Sequence, residues 1–218
     1  KIVFSESDNF SRKLWYAAKI PYNDKVFLKA SKEIASAIDA IKGNNKKLII
    51  TDLDNTLWGG LVGENGWKKI RLGGHDYIGE AFKNFQFHLK ALSNSGIQLA
   101  ICSKNDEKNA MEAIKNHSEM ILKKDDFISY RINWQPKSEN IKEILNEVNL
   151  GMSSAVFIDD NPAERENVKI ALPEVYIPYW DSDPTESVNR LNSLKCFNFS
   201  SFTNEDRERK KMYITQAE

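Results

Sequence analysis

The chain has 218 residues with 31 basic and 31 acidic side chains, so it carries no net charge. Its lysine pairs are scattered, which excludes a clustered basic footprint for nucleic acid, and no apolar run is long enough to span a bilayer. We therefore expect a soluble globular protein that binds neither nucleic acid nor membranes. Cys102 and Cys196 lie far apart in sequence, and this favours a reducing, cytoplasmic setting over a disulfide framework.

The first 45 residues differ in pattern from the rest of the chain. Apolar residues recur at helical spacing from Asp24 to Ile41, which predicts an amphipathic helix that ends near Gly43. We expect residues 1–45 to be the end of a preceding domain or a linker, and residues 46–203 to form the catalytic domain. Residues 204–218 are highly charged and are expected to be a helical tail leading to a further domain.

The central region alternates apolar, β-branched runs with helical patterns. Strands are predicted over residues 48–51, 97–102, 127–132, 155–158 and 175–177, and helices over 81–92, 107–115, 138–148 and 185–194. Alternation of this kind predicts an α/β fold with a parallel sheet, in which ligands bind beyond the carboxyl ends of the strands.

Polar residues stand at these predicted strand ends. Two aspartates follow the first strand, a serine follows the second, a lysine opens a helix, and two adjacent aspartates follow a later strand. These residues are Asp52, Asp54, Ser103, Lys137, Asp159 and Asp160. Each alone is compatible with a turn, a helix cap or a surface charge. Their joint occurrence at strand ends and helix starts favours a functional site.

These residue types suit phosphoryl transfer assisted by Mg²⁺. Carboxylates held close together repel unless a cation neutralises them, and Mg²⁺ prefers oxygen ligands. Asp52, Asp159 and the backbone carbonyl of Asp54 are candidate ligands. Asp52 is then the candidate nucleophile towards phosphorus, and Asp54 the group that protonates the leaving group and activates water. Ser103 and Lys137 are expected to bind the transferring phosphoryl group.

The segment from Asp52 to Trp58, together with Ser103, Lys137 and Asp159-Asp160, resembles the four motifs of the haloacid-dehalogenase (HAD) superfamily. Longer segments resemble its FkbH-like subfamily, also described as subfamily IIIC. These segments are Leu57-Trp58-Gly59-Gly60-Leu61-Val62-Gly63-Glu64-Asn65-Gly66, Ile101-Cys102-Ser103-Lys104-Asn105-Asp106, Asn133-Trp134-Gln135-Pro136-Lys137 and Phe157-Ile158-Asp159-Asp160-Asn161-Pro162-Ala163-Glu164-Arg165. The resemblance covers about residues 47 to 215.

The superfamily resemblance implies a Rossmann-like sheet with helices on both faces and an aspartyl-phosphate intermediate. It further implies that Thr56 steadies Asp54 and that Asp160 lies beside the metal, directly or through water. Lys104 and Asn105 are expected to join Ser103 and Lys137 in binding the substrate. The short spacing between motifs predicts a small β-hairpin flap and no large cap domain.

The FkbH-like resemblance implies a phosphorylated glyceryl substrate, removal of its phosphate, and loading of the acyl group onto an acyl-carrier protein. A thioester at Cys102 is a hypothesis within that scheme, although a small buried strand residue is the more common role for cysteine. Two alternatives remain: a simple Mg²⁺-dependent phosphatase of a metabolite or phosphoprotein, and an inactive scaffold module. Trp58 is expected either to line the entrance of the site or to pack.

Overall fold

The computed structural model describes residues 10–43, 45–180 and 182–197. Within these ranges the strands are β1 (Leu48–Thr51), β2 (Gln98–Ser103), β3 (Phe127–Ile132) and β4 (Ala155–Ile158). The α-helices are α1 (Arg12–Ala18), α2 (Asp24–Ile41), α3 (Val62–Asn65), α4 (Tyr77–Asn94), α5 (Glu107–Asn116), α6 (Lys137–Glu147), α7 (Pro162–Ala171) and α8 (Ser187–Ser193). Short 3₁₀ turns occur at Trp67–Lys69, Lys124–Asp126, Met152–Ser154 and Pro184–Glu186.

The four strands form one parallel sheet in the order β3-β2-β1-β4. The sheet is buried on both sides, because alternate residues of each strand pack into two separate apolar clusters. One face packs against α4, α5 and α8 through residues such as Phe85, Ala113 and Leu191. The other packs against α6 and α7 through Ile141 and Val168. The predicted α/β fold, with helices on both faces, is confirmed.

A fifth strand predicted over residues 175–177 is reduced to one bridging residue. Tyr176 donates its N–H to the carbonyl of Ala155 and accepts from the N–H of Phe157, at 3.1 and 3.0 Å. The next donor along such a ladder is the residue two positions on, which is Pro178 and has no N–H. Pairing beside β4 therefore ends after one step.

The segment between β1 and α4 is the small flap expected from the spacing. It is closed by one antiparallel pair, in which Gly59 and Arg71 exchange backbone hydrogen bonds of 3.0 and 2.8 Å. The flap carries α3 and a 3₁₀ turn rather than two extended strands. Among the described residues there is no separate cap domain over the carboxyl end of the sheet.

The predicted helix over residues 24–41 is confirmed as α2. Ser36 donates to the carbonyl of Lys195, and Glu33 forms an ion pair with the Lys195 ammonium at 3.0 Å, so α2 lies against the segment after α8. The predicted charged tail over residues 204–218 lies outside the described residues. Within the described part of the chain, no helix combines the length and the apolar character needed to cross a membrane.

Candidate active site

The register of the sheet brings the predicted site residues to one edge. Thr51, the last residue of β1, is paired with Ile158 of β4 and with Ile101 of β2. The residues that follow these strand ends therefore meet at the same level. The N–H of Asp52 donates to the carbonyl of Ile158 at 2.9 Å, which continues the β1–β4 pairing into the site.

Lys137 joins the two acidic strand ends. Its Nζ lies 2.9 Å from Oδ2 of Asp52 and 2.6 Å from Oδ2 of Asp159, and its side chain is only 3% exposed. Burial opposes the charge of this lysine, but the two carboxylates outweigh it and raise the pKa of Lys137 above its ordinary value. The site thus contains a buried ammonium ion that remains charged between two carboxylates.

The loop before α6 positions Lys137. Asn133 donates its N–H to the carbonyl of Ser103 at 3.1 Å. Its side-chain amide exchanges two hydrogen bonds with the amide of Asn140, at 3.2 and 2.8 Å. Pro136 then precedes the first residue of the helix. These contacts tie the loop both to β2 and to its own helix, so Lys137 enters the site from a fixed backbone.

Asp159 is fully buried and both of its carboxylate oxygens have partners. Oδ1 accepts from the N–H of Asn161 at 2.8 Å, and Oδ2 accepts from Lys137. Burial and the neighbouring charge of Asp52 raise the pKa of Asp159. Arg165 donates to the backbone carbonyls of Asp159 and Asp160, at 2.6 and 2.8 Å, and so fixes the turn after β4.

Thr56 contacts a different aspartate from the one expected. Its Oγ1 accepts from the N–H of Asp160 at 3.2 Å and lies 3.5 Å from Oδ1 of the same residue. The expectation that Thr56 steadies Asp54 is wrong. The turn after β1 directs the threonine side chain across to β4, and Thr56 therefore links the two acidic strand ends.

Asp54 is held by three N–H donors, two from the segment between β1 and α4 and one from the loop after β2. Its Oδ1 accepts from Nε1 of Trp58 at 2.7 Å and from the N–H of Val62 at 3.1 Å. Its Oδ2 accepts from Nδ2 of Asn105 at 2.8 Å. Burial raises the pKa of Asp54 and outweighs the opposing effect of these hydrogen bonds, with a further upward contribution from the charge of Asp52.

The predicted residues surround a cavity of about 190 Å³. Its wall includes Ser103 together with Asp52, Asp54 and Lys137. Lys104 also lines it, but its Nζ is paired with Oε1 of Glu164 at 2.7 Å. Asn105, expected to bind substrate, instead donates to Asp54. The predicted residues are therefore together, but these two contact protein groups.

Cys102 does not face this cavity. It is fully buried in the apolar cluster under α6, and its Sγ lies 3.7 Å from the carbonyl of Lys137. Burial raises the pKa of the Cys102 thiol, which opposes formation of the reactive thiolate. The thioester hypothesis does not fit this position, whereas the role of a small packing residue does.

The acidic cluster fits a Mg²⁺ ion. Asp52, Asp159 and Asp160 each present a carboxylate oxygen, and these oxygens lie within 4.8 Å of one another. Among the described residues, none donates a hydrogen bond to the buried Oδ1 of Asp52. An orphaned carboxylate oxygen beside two other carboxylates is the donor set that a hard divalent cation satisfies.

Sequence reasoning did not identify several residues that shape this site. Trp58 and Val62 bind Asp54, Glu164 pairs with Lys104, and Arg165 fixes the turn after β4. All four lie within the motif segments. Their position in those segments was the available signal, but a linear pattern does not reveal which side chain each one contacts.

Comparison with known proteins agrees with this geometry. The family model described as haloacid dehalogenase-like hydrolase matches residues 25–171. No curated protein matches the chain significantly. The N-terminal part of the protein BF1531 from Bacteroides fragilis, described as containing a phosphatase domain and complexed with Mg, is 39% identical with a TM-score of 0.85. The match covers 90% of this chain and 52% of that one, so this chain spans about half its length.

More distant structures share less. A HAD family enzyme from Bacteroides thetaiotaomicron in a magnesium complex is 14% identical, with a TM-score of 0.44 over 63% of this chain and 94% of that one. An uncharacterized protein from Corynebacterium glutamicum is 15% identical, with a TM-score of 0.43 over 72% and 98%. Similarity at this level does not bear on the site.

Proposed function

Because this chain belongs to the haloacid dehalogenase-like hydrolase family, we propose that it is a Mg²⁺-dependent phosphatase that acts through a phosphorylated Asp52. The observation that carries the proposal is the state of the Asp52 carboxylate. One oxygen is paired with Lys137, and the other is buried without a hydrogen-bond donor among the described residues. That second oxygen is available to a metal ion or to phosphorus.

The reaction proceeds in two displacements. A carboxylate oxygen of Asp52 attacks phosphorus and the bond to the leaving oxygen breaks, while Asp54 donates a proton to that oxygen. Water then attacks the phosphorus of the aspartyl phosphate and Asp54 takes a proton from it. The bond from phosphorus to Asp52 breaks, which restores the carboxylate and releases inorganic phosphate.

The other residues of the site hold the phosphoryl group in this scheme. Lys137 supplies positive charge, and Ser103, which lines the cavity at the end of β2, supplies a hydroxyl. Asp52, Asp159 and Asp160, with the carbonyl of Asp54 as a further ligand, would hold Mg²⁺, which would supply the charge that offsets repulsion between carboxylates and phosphate.

For the substrate, we propose a phosphorylated glyceryl unit presented on a larger carrier, in line with the FkbH-like motifs. The cavity of about 190 Å³ suits a phosphoryl group with a short attached chain. Its mouth lacks a large cap among the described residues, so the bulk of a carrier protein would remain outside. In the corresponding second step the carboxyl carbon of the glyceryl unit forms a thioester with the thiol of an acyl-carrier protein, and its bond to the group that previously held it breaks, so that this group leaves with the thiol proton.

Acyl transfer, in this proposal, does not pass through Cys102. Its burial and raised pKa favour a neutral packing thiol. We expect Cys102→Ala to keep both phosphate release and any transfer to a carrier protein, measured by mass spectrometry of the carrier. Loss of transfer alone, with phosphate release intact, would restore the thioester hypothesis.

Phosphate release from a panel of phosphomonoesters, with Mg²⁺ and with a chelator, tests the function. The panel includes free phosphoglycerates, phosphoproteins and a carrier-bound phosphoglyceryl group. Mg²⁺-dependent release is expected, and acid quenching followed by peptide mass spectrometry should place phosphate on Asp52. Asp125→Asn, which changes an exposed aspartate, is the matched control for Asp52→Asn.

Each result distinguishes the alternatives. Release from free metabolites or phosphoproteins but not from the carrier-bound group would favour a simple phosphatase. No release from any member of the panel would favour an inactive scaffold. Full activity in Asp52→Asn would contradict the nucleophile assignment.

A further inference from the structure

The carboxyl group of Asp54 has an unusual set of partners for a group that must exchange protons. Two N–H donors occupy Oδ1, one from the indole of Trp58 and one from the backbone of Val62 in the flap. A single donor, Asn105, occupies Oδ2. A carboxylate oxygen has two lone pairs, so Oδ2 is the oxygen that retains one for proton exchange.

The two side-chain donors are themselves fixed. Trp58 is fully buried in the larger apolar cluster, and its indole nitrogen can only donate. The amide of Asn105 is oriented by its own oxygen, which accepts from the N–H of Asp106 at 2.9 Å. Its nitrogen must therefore face Asp54. Both side chains therefore present only N–H donors to Asp54. Rotation of its carboxyl group would break these hydrogen bonds.

Building on the proposed function, we propose that Trp58 and Asn105 are positioning residues that hold Asp54 in the rotamer that protonates the leaving group. They act through Asp54 and do not touch the substrate. The arrangement also connects the flap to the chemistry, since Val62 at the start of α3 donates to the same oxygen as Trp58. Loss of either side-chain donor would leave Asp54 present but poorly aimed.

The molecule contains a matched control for Trp58. Trp180 is also almost completely buried and belongs to the same apolar cluster, where its ring lies 5.4 Å from that of Phe85. Replacing either tryptophan with phenylalanine removes the same atoms from the same core. Only Trp58→Phe also removes the donor to Asp54, so a difference between the two variants reports positioning rather than packing.

The leaving group provides the first readout. p-Nitrophenolate leaves without a proton, whereas the alkoxide of glycerol phosphate requires one. The ratio kcat/KM reports the steps up to departure of the leaving group. For Trp58→Phe we expect kcat/KM to fall about 10- to 100-fold on glycerol phosphate but only about 3-fold on p-nitrophenyl phosphate. Asn105→Leu should show the same pattern. Trp180→Phe should leave kcat/KM unchanged or lower it by the same factor for both substrates.

The second readout does not depend on turnover. In NMR hydrogen exchange, the indole N–H of Trp58 should be protected in the wild type, and Asp54→Ala should speed its exchange by about 10-fold or more. The indole signal of Trp180 should be unchanged. Equal losses on both substrates in Trp58→Phe, or unchanged exchange of its N–H in Asp54→Ala, would overturn the positioning role.

The two proposals fail in different ways. If the wild type with Mg²⁺ hydrolyses neither of these substrates nor the carrier-bound phosphoglyceryl group, the proposed function fails, and the exchange experiment alone decides whether Trp58 binds Asp54. If the wild type is active and Trp58→Phe shows no dependence on the leaving group, the positioning role fails while the phosphatase assignment stands.

Discussion

The carboxyl ends of β1 and β4 each carry two aspartates, but their oxygens have different partners. At β4, both oxygens of Asp159 have hydrogen-bond donors. At β1, Asp52 keeps one buried oxygen without a donor among the described residues, and Asp54 has three N–H partners. Hydrogen bonds to both oxygens stabilise the Asp159 carboxylate as an anion. Asp52 retains an oxygen that can contact a metal ion or phosphorus.

This difference has a local cause. The turn after β4 leads directly into α7. There the N–H of Asn161, the residue before the helix, donates to Asp159, and Arg165 donates to the backbone carbonyls of Asp159 and Asp160. After β1, the turn through Asn55 leads into the flap instead. Asn55 adopts a positive φ of 54° and its side chain accepts from Gly60. No helix terminus follows Asp52 directly, so no backbone N–H from such a terminus reaches its Oδ1.

The largest expected effect compares the two ends directly. Asp52→Asn should lower kcat by about 10⁴-fold or more, because it removes the nucleophile. Asp159→Asn should instead weaken Mg²⁺ binding by on the order of 100-fold and recover much of its activity at high Mg²⁺. Titration of activity with Mg²⁺ measures both. Recovery of Asp52→Asn by added Mg²⁺ would show that the two ends are interchangeable.

The second prediction removes the cation between the ends. Lys137→Met leaves the buried carboxylates of Asp52 and Asp159 without their shared partner, and should cost about 3–5 kcal/mol in the free energy of unfolding. Mg²⁺ should restore more stability to this variant than to the wild type, because it relieves the same repulsion.

Urea unfolding with and without Mg²⁺ measures this effect. Lys142→Met is the control, since Lys142 forms an exposed pair with Glu139 at 2.9 Å and should change stability by less than about 0.5 kcal/mol. Equal effects of the two substitutions would mean that the carboxylates at the sheet edge do not depend on Lys137 for their charge balance.

The elements that the sequence predicts well have strong local signals. Asp24–Ile41 has an apolar stripe at helical spacing, and residues 155–158 form a buried β-branched and aromatic run. The start of α4 is harder to predict, because Gly79 weakens the helical pattern of its first turn. That glycine is required by a tertiary contact: an added Cβ would lie 2.4 Å from the carbonyl oxygen of Gly73.

Residues of the site were also predictable from the strand ends, but their partners were not. Thr56 is two positions from Asp54 in sequence, yet it contacts Asp160, 104 positions away. Trp58 gives no sign in the sequence that its indole N–H binds a carboxylate. Such contacts depend on rotamers and on the crossing of turns from different strands, which a linear pattern does not record.

The third prediction concerns the bridge between the ends. Thr56→Val keeps the shape of the side chain but removes its hydrogen bonds with Asp160. This should lower the free energy of unfolding by about 1 kcal/mol. Because Asp160 is a candidate ligand, we expect Mg²⁺ affinity to fall about 5-fold, measured by isothermal titration calorimetry. Thr185→Val is the control, since Thr185 donates to Asp183 instead. Unchanged affinity would indicate that Asp160 is held without the link from β1.

The smallest effect is expected at the rim of the cavity, where Lys104 after β2 meets Glu164 in the first turn of α7. Their side chains are 35% and 16% exposed, against 3% and 0% for Lys137 and Asp159. Solvent screens the rim pair, so a double-mutant cycle with Lys104→Met and Glu164→Gln should give a coupling of only about 0.5 kcal/mol in urea unfolding.

If the coupling energy between Lys104 and Glu164 were as large as that between Lys137 and Asp159, these two residues would not form a solvated rim. A small coupling would mean that the pair opens at little cost. Lys104 could then leave Glu164 and contact a bound anion, as its predicted role in substrate binding requires. KM for a phosphorylated substrate should accordingly rise more in Lys104→Met than in Glu164→Gln, because only the first removes the cation. The buried charge of Lys137 thus maintains the site, whereas the solvated charge of Lys104 can exchange its partner for a substrate.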